Sequence, residues 1–189
     1  YRVTPDGLSL SFELIRTDSL HIAMGGASGK PIDFPNLPLF DAAGQPNDSL
    51  VAAYAAIHHQ TVNVVDAYTE PNFDFSGTRN FDAGTGYRSQ SFLTVPMKDH
   101  EGDVIGVLQL LNATDPKTGQ VVPFSGADQS LAESLASQAA IAITNRSLMT
   151  QLEALFESFI SLINLAIDEK SHYTGDHCQR VPALTMMLA

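Results

Sequence analysis

His172, Asp176, His177 and Cys178 lie together in SHYTGDHCQRV, residues 171–181. Imidazole, carboxylate and thiolate are the side chains that ligate divalent metals, and a metal-activated water cleaves phosphodiesters. Such a centre needs several ligands converging from different elements, which one segment cannot supply. On a helix turning about 100° per residue, His172 and His177 stand about 140° apart and cannot share an ion. His172 and Asp176, four residues apart, can meet. The segment alone therefore cannot complete a metal site and could equally be a polar helix end, and no bound cofactor is expected in the chain alone.

The second place for chemistry is upstream. Cations are scarce, and Lys30, Arg79 and Arg88 fall near loop-like stretches. Arg88, beside Ser89 and Ser91, could orient a small anionic or polar ligand by charge-assisted hydrogen bonds. The candidate ligand-binding residues are Tyr54, Asp66, Tyr68, Thr85, Tyr87, Arg88 and Ser89. The alternatives are surface ion pairs for the arginines and packed, hydrogen-bonded hydroxyls for the tyrosines. His58 and His59 point to different faces of a helix and do not form a ligand pair. A Gly-x-Ser-x-Gly elbow, a P-loop and a Cys-x-x-Cys pair are all absent from the sequence.

Bulk properties narrow the partners. The net charge is −11, which opposes nonspecific association with nucleic acid or anionic membrane. The single Cys178 excludes an intrachain disulfide and fits a reducing cytosol. Neither a signal-peptide pattern nor an unbroken apolar run near the roughly 20 residues of a membrane span is expected. Opening on Tyr1 rather than Met, the chain reads as a piece of a longer, cytoplasmic protein.

The elements that must position these residues follow from periodicity. Thr4–Gly7 is a turn, Leu8–Leu14 alternates as a half-buried strand, residues 16–19 turn again, and Leu20, Ile22 and Met24 alternate up to Gly25-Gly26. Residues 27–49 are loop-like. NDSLVAAYAAIHHQ reads as a short helix with Asn47 or Asp48 as N-cap, and TVNVVDAY as a short strand. Residues 69–86 read as irregular. SFLTVPM and VIGVLQLLN around DHEG make the clearest hairpin. Residues 115–124 form a loop, and Ser125 caps a helix running from about Gly126 to about Glu169. In its second half Leu148, Leu152, Leu155, Phe159, Leu162 and Ala166 follow a 4-3-4-3-4 spacing. Met149, Phe156, Ile160, Ile163 and Ile167 widen this seam, which predicts a parallel homodimer through residues 148–167; the alternative is a helix packed on its own domain.

FDAGTGYRSQSFLTVPMKDHEGDVIGVLQLLNA, residues 81–113, resembles GAF domains of the cyclic-nucleotide phosphodiesterase type. The resemblance covers roughly residues 1–147. It implies an α+β, PAS-like fold: a central antiparallel sheet flanked by helices, a small-molecule pocket closed by long loops, and a C-terminal connector helix. It also implies that the family's N-terminal helix and the start of its first strand lie outside the chain. Of the family's Asn-Lys, Phe, Asp-Glu motif, Asn112, Phe124 and Asp128 match, whereas Ala113 and Gln129 replace Lys and Glu. The motif's Lys–Asp ion pair cannot form.

AIDEKSHYTGDHCQRV resembles the opening helix of HD and HD-GYP metal-dependent phosphohydrolases. That implies a sensory domain at 1–147, a connector at 148–169 and the incomplete start of an HD domain at 170–189. His177 matches the first metal-ligating histidine, for an iron or manganese centre completed only in the full-length protein. The expected function is a regulatory, small-molecule-sensing and dimerising module of a bacterial HD-type phosphohydrolase, with cyclic di-GMP as one candidate substrate. The alternatives are a ligand-free assembly module, or a catalytic fragment contributing one metal ligand.

Overall fold

The computed structural model describes residues 1–170, with side-chain surroundings up to Ile167. The expectations for the segment 171–189, His177 among them, lie outside the described residues. The chain divides into two compact units, Tyr1–Ala142 and Ile143–Ala189.

In the first unit, β1 (Arg2–Val3), β2 (Ser9–Ser11), β3 (Leu14–Thr17), β4 (Ile22–Gly25) and β5 (Leu37–Pro38) precede α1 (Val51–His58) and β6 (Val62–Val64). Next come α2 (Ser76–Thr85), β7 (Phe92–Lys98), β8 (Val104–Leu111), β9 (Ala113–Thr114), β10 (Val121–Val122) and α3 (Gly126–Lys170). Six strands form one antiparallel sheet in the order β5-β2-β1-β8-β7-β6, while β3–β4 and β9–β10 are separate pairs. The α+β fold with a long C-terminal helix thus matches the expectation.

The β7–β8 hairpin is the spine, running in register from Phe92↔Leu111 to Pro96↔Val107. Its side chains alternate between faces. Leu93 and Val95 pack with Ala132 and Ala136 of α3. Phe92 packs with Val51 and Val64, and Val107 with Leu10, Ala52, Ala53 and Ala56. The sheet is therefore sandwiched between α1 and the first turns of α3, with small residues letting both helices approach closely. Pro96 sits beyond the reach of β6, which pairs only with Phe92–Thr94. Its missing N–H costs no ladder bond there. Gly106 is required where β1 crosses β8, because a Cβ would collide with the Tyr1 carbonyl oxygen and, at 2.6 Å, with the Met97 methyl.

Several boundaries differ from the periodicity. The strand expected over Leu8–Leu14 breaks at Phe12–Glu13, so that Leu14 opens β3 in a separate hairpin. Neither Asn47 nor Asp48 caps α1, whose N-cap is Leu50 without a side-chain hydrogen bond. Asp48 instead meets His58 Nε2 at 2.7 Å, and Asn47 donates to the Pro38 carbonyl. The stretch 69–86 contains α2. Two glycines depress its propensity, but Asp74 accepts from the Ser76 amide and hydroxyl at its start, and tertiary packing overrides the weak sequence signal. Ser125 does cap α3: its amide and hydroxyl donate to Asp128 at 2.8 and 2.7 Å, and the Asp128 amide returns to the Ser125 hydroxyl. These bonds hold the Asp128 carboxyl below its usual value, the hydroxyl contributing most.

In the second unit, the described residues continue α3. Leu152, Leu155, Phe159 and Leu162 are 57–66% exposed. By length and composition α3 could cross a bilayer, with an 18-residue window of mean hydropathy 1.2. Glu153 and Glu157 interrupt that stretch, so it is not an unbroken apolar run.

Gly106→Ala should lower unfolding free energy by about 1–3 kcal/mol through overpacking. Gly84→Ala, in α2 with nothing within 4 Å of a new Cβ, should raise it by about 0.5–1 kcal/mol. Urea unfolding of the two variants against wild type checks both signs.

Candidate functional site

The segment between α2 and β7 is built around two side chains. Asp82, only 3% exposed, accepts the Tyr68 hydroxyl at 2.7 Å, the Ser89 amide at 2.7 Å and the Ser89 hydroxyl at 2.8 Å. A buried carboxylate is tolerable because these donors replace its lost hydration. Tyr68's phenol is pushed above its ordinary value, first by its hydrogen bond to Asp82.

Asn112 is the second anchor. It ends β8 at φ 57°, a left-handed conformation that asparagine tolerates better than most residues. Its amide nitrogen donates to the Tyr87 hydroxyl and to the Arg88 carbonyl, both at 2.8 Å. Its amide oxygen accepts from the backbone N–H of Gln90 at 2.7 Å and Ser91 at 3.3 Å. Gly86, left-handed at φ 70°, closes α2 through its amide to the Asp82 carbonyl.

Arg88 is held by its backbone while its head stays available. Its guanidinium lies 4.4 Å from the Tyr68 ring centroid, a cation–π distance. Its nearest carboxylate, Asp66, is 3.9 Å away, and the Arg88 side chain is 62% exposed. Asp66 also fixes the turn by accepting the Tyr68 amide.

Of the candidate residues, Asp66, Tyr68, Tyr87, Arg88 and Ser89 come together here. Thr85 joins only through its neighbours, its hydroxyl donating back to the Phe81 carbonyl. Tyr54 sits on α1, its ring 4.3 Å from that of His58 and edge-on to Phe73 at 5.4 Å. His58 and His59 separate as expected, His59 ending α1 at φ 55°.

Two features lacked a sequence signal. One is Asp82, which resembles any surface aspartate of a weak helix. The other is a polar row on the sheet face opposite α3. There the Tyr1 hydroxyl donates to Gln109 at 2.9 Å, and Gln109 donates to the fully buried Thr94 at 3.1 Å. Burial pushes the Tyr1 phenol up to about 12. From Tyr1 an aromatic file leads through Phe12 and Phe34 to Phe81 on α2, with centroid spacings of 4.7, 5.4 and 6.4 Å.

A groove of about 520 Å³ lies elsewhere, between β7 and α3, with Thr61, Lys98 and Glu133 in its lining. Hydrogen bonds from the Thr61 hydroxyl and then Gln129 hold the Glu133 carboxyl below its usual value. Among the described residues no three His, Cys, Asp or Glu side chains converge on a metal-sized site.

Residues 14–143 match the GAF domain family. The chain belongs to the GAF family. Among curated relatives it is 32% identical over 117 residues to the dual 3',5'-cyclic-AMP and -GMP phosphodiesterase 11A of Takifugu rubripes, covering 57% of this chain. It is 30% identical over 116 residues to the dual 3',5'-cyclic-AMP and -GMP phosphodiesterase 11 of Drosophila melanogaster, covering 61% of this chain. The matches span only 12% and 7% of those proteins. A solved GAF domain of a phosphoenolpyruvate-protein phosphotransferase from Coxiella burnetii aligns at 13% identity, with a TM-score of 0.43 over 61% of this chain and 67% of that one. Within this GAF unit, Asn112 clamps the segment ahead of β7, and Asp128 serves as a helix cap.

The Tyr68–Asp82 bond has a signed pH consequence. A phenol whose folded value is raised contributes stability that is complete below its unfolded value and is lost as pH rises through the folded one. Asp82→Asn removes the negative partner that opposes the phenolate. The Tyr68 titration, read as wild-type absorbance at 295 nm minus that of Tyr68→Phe, should move to lower pH in the Asp82→Asn background.

Proposed function

We propose that this GAF unit is the regulatory, small-molecule-sensing and dimerising module of a cytoplasmic HD-type metal-dependent phosphohydrolase, its ligand held at the Arg88 cluster. One observation carries the ligand site: an arginine whose backbone is pinned by Asn112 and whose ring-stacked guanidinium keeps a long carboxylate distance and open access. Such a group presents several planar donors to a carboxylate, phosphate or polar edge. The aromatic file ending at Phe81, its rings tilted by 52° to 77° to one another, offers apolar surface for a ring-bearing ligand.

The catalytic partner is inferred from residues 171–181, where His177 would supply one ligand to an iron or manganese centre. Phosphodiester hydrolysis, with cyclic di-GMP as a candidate substrate, agrees with the phosphodiesterase names of the curated relatives. The apolar stretch of α3 at 148–167 serves as the contact between two copies. Neither nucleic acid nor membrane is a partner in this reading.

Mass spectrometry of small molecules released from the purified, denatured protein identifies the ligand. Arg88→Ala should weaken that ligand about 10-fold or more, the loss of one or more charge-assisted hydrogen bonds. Unchanged affinity would remove Arg88 from the site, and a preparation that releases and binds no small molecule would favour an assembly role.

The isolated chain should not hydrolyse bis(4-nitrophenyl) phosphate with added manganese. Turnover abolished by His177→Ala would overturn that expectation. Calorimetry should show cyclic AMP and cyclic GMP binding weaker than about 1 μM, with Ala113 and Gln129 at the motif's charged positions.

A further inference from the structure

The groove between β7 and α3 shares no residue with the Arg88 cluster. Val95 and Pro96 of β7 line it, with Gln129 and Glu133 of α3 and with His59 and Thr61 from the link between α1 and β6. Val95 is 2% exposed and Pro96 is buried as well, so the strand gives the groove an apolar floor.

Lys98 enters through an irregularity of the sheet. Strand alternation carries Leu93, Val95 and Met97 to the α3 face, and strict alternation would turn the next residue away. One extra residue of β8, Ile105, falls between the pairs Met97↔Gly106 and Lys98↔Val104. Such a bulge raises the local twist and re-aims neighbouring side chains, and Lys98 lines the groove. β6 pairs no further along β7 than Thr94, so that strand leaves this end uncovered. His59 ends α1 in the left-handed region at φ 55°. Glycine is the usual residue there; histidine tolerates the conformation better than most and brings an imidazole to the rim.

Opposite charges face this space without closing on each other. Glu133 accepts the Thr61 hydroxyl and the Gln129 amide at 3.0 Å, which fills about half of the roughly four acceptor sites of a carboxylate. The Lys98 charge adds to these bonds in holding the Glu133 carboxyl below its usual value. Among the described residues neither side chain forms an ion pair, and both are exposed. A simple anion at Lys98 would be repelled by Glu133, and a simple cation at Glu133 would be repelled by Lys98. A molecule carrying both charges satisfies both. The volume of about 520 Å³ falls within the roughly 300–1,000 Å³ of small-molecule sites.

We infer that this groove is a second ligand site, taking a small zwitterion of the amino-acid class, with its carboxylate at Lys98 and His59, its ammonium at Glu133 and its side chain over Val95 and Pro96. The occupant bridges the end of β7 to α3, so its binding fastens the helix to the sheet. The site does not depend on a ligand at Arg88, and either reading can fail alone.

The test uses the whole chain, labelled with nitrogen-15 and titrated with each of the common L-amino acids. At least one should bind with a Kd below about 1 mM, shifting the backbone amides of Thr61, Lys98 and Glu133 and leaving those of Arg88 and Asn112 in place. The amine and the carboxylic acid that each lack one charge of the best binder should bind about 10-fold or more weakly, the loss of one charge-assisted contact. Lys98→Gln and Glu133→Gln should cause similar losses, whereas Arg88→Ala should stay within about threefold of wild type. Thermal unfolding is read alongside; if Glu133→Gln loosens α3 from Thr61, the exposed Lys98→Gln decides the case. No amino acid binding below about 1 mM, shifts confined to the Arg88 cluster, unchanged affinity in Lys98→Gln, or a singly charged analogue that binds as tightly as the amino acid overturns the inference.

Discussion

One side-chain amide organises the Arg88 end of this protein's sheet. Asn112 uses both of its polar atoms, holding the Tyr87 hydroxyl and Arg88 carbonyl with its nitrogen and the Gln90 and Ser91 amides with its oxygen. Its own amide returns to the Ser91 carbonyl at 2.8 Å. The end of β8 is thus bolted to the approach of β7, and the register of the hairpin and the placement of Arg88 become one constraint. Ser91 extends the connection, donating to Val122 and accepting from Ala113, which ties in the β9–β10 pair.

The sheet then separates two sets of contacts. On one face, Thr94, Gln109 and the aromatic file lie toward α1 and α2, with the Asp82 network fastening α2 to the same strand. On the other, Leu93 and Val95 meet the alanines of α3. Because β7 contributes alternate residues to both sides, a displacement imposed on one face is felt on the other. That is the physical route by which a small ligand could alter a helix leading out of the unit.

Much of this was legible in the sequence where pattern and structure share a cause. Alternation gave the β7–β8 hairpin, the Ser125–Asp128 spacing gave the start of α3, and the GYRS segment gave most of the Arg88 cluster. Legibility failed where long-range contacts decide. α2 contains two glycines and reads as a loop, yet it forms because Asp82 is fastened to Ser89 and Tyr68. The polar row of Tyr1, Gln109 and Thr94 joins residues more than 90 positions apart, a pairing no local period encodes. The exposed leucines at 131 and 135 were visible as letters, but only the burial of Ala132, Ala136 and Ala140 shows which side of the helix they occupy.

The most direct measurement is amide hydrogen exchange on Asn112→Gly. Glycine keeps the left-handed backbone conformation at that position while deleting the amide clamp. The account predicts that the Gln90 and Ser91 amides lose protection by about 10-fold or more, the worth of one hydrogen bond each, while Leu93 and Val107 in the sheet interior keep most of theirs. Unchanged protection at Gln90 and Ser91 would show that the hairpin holds this segment without Asn112, and would contradict the account.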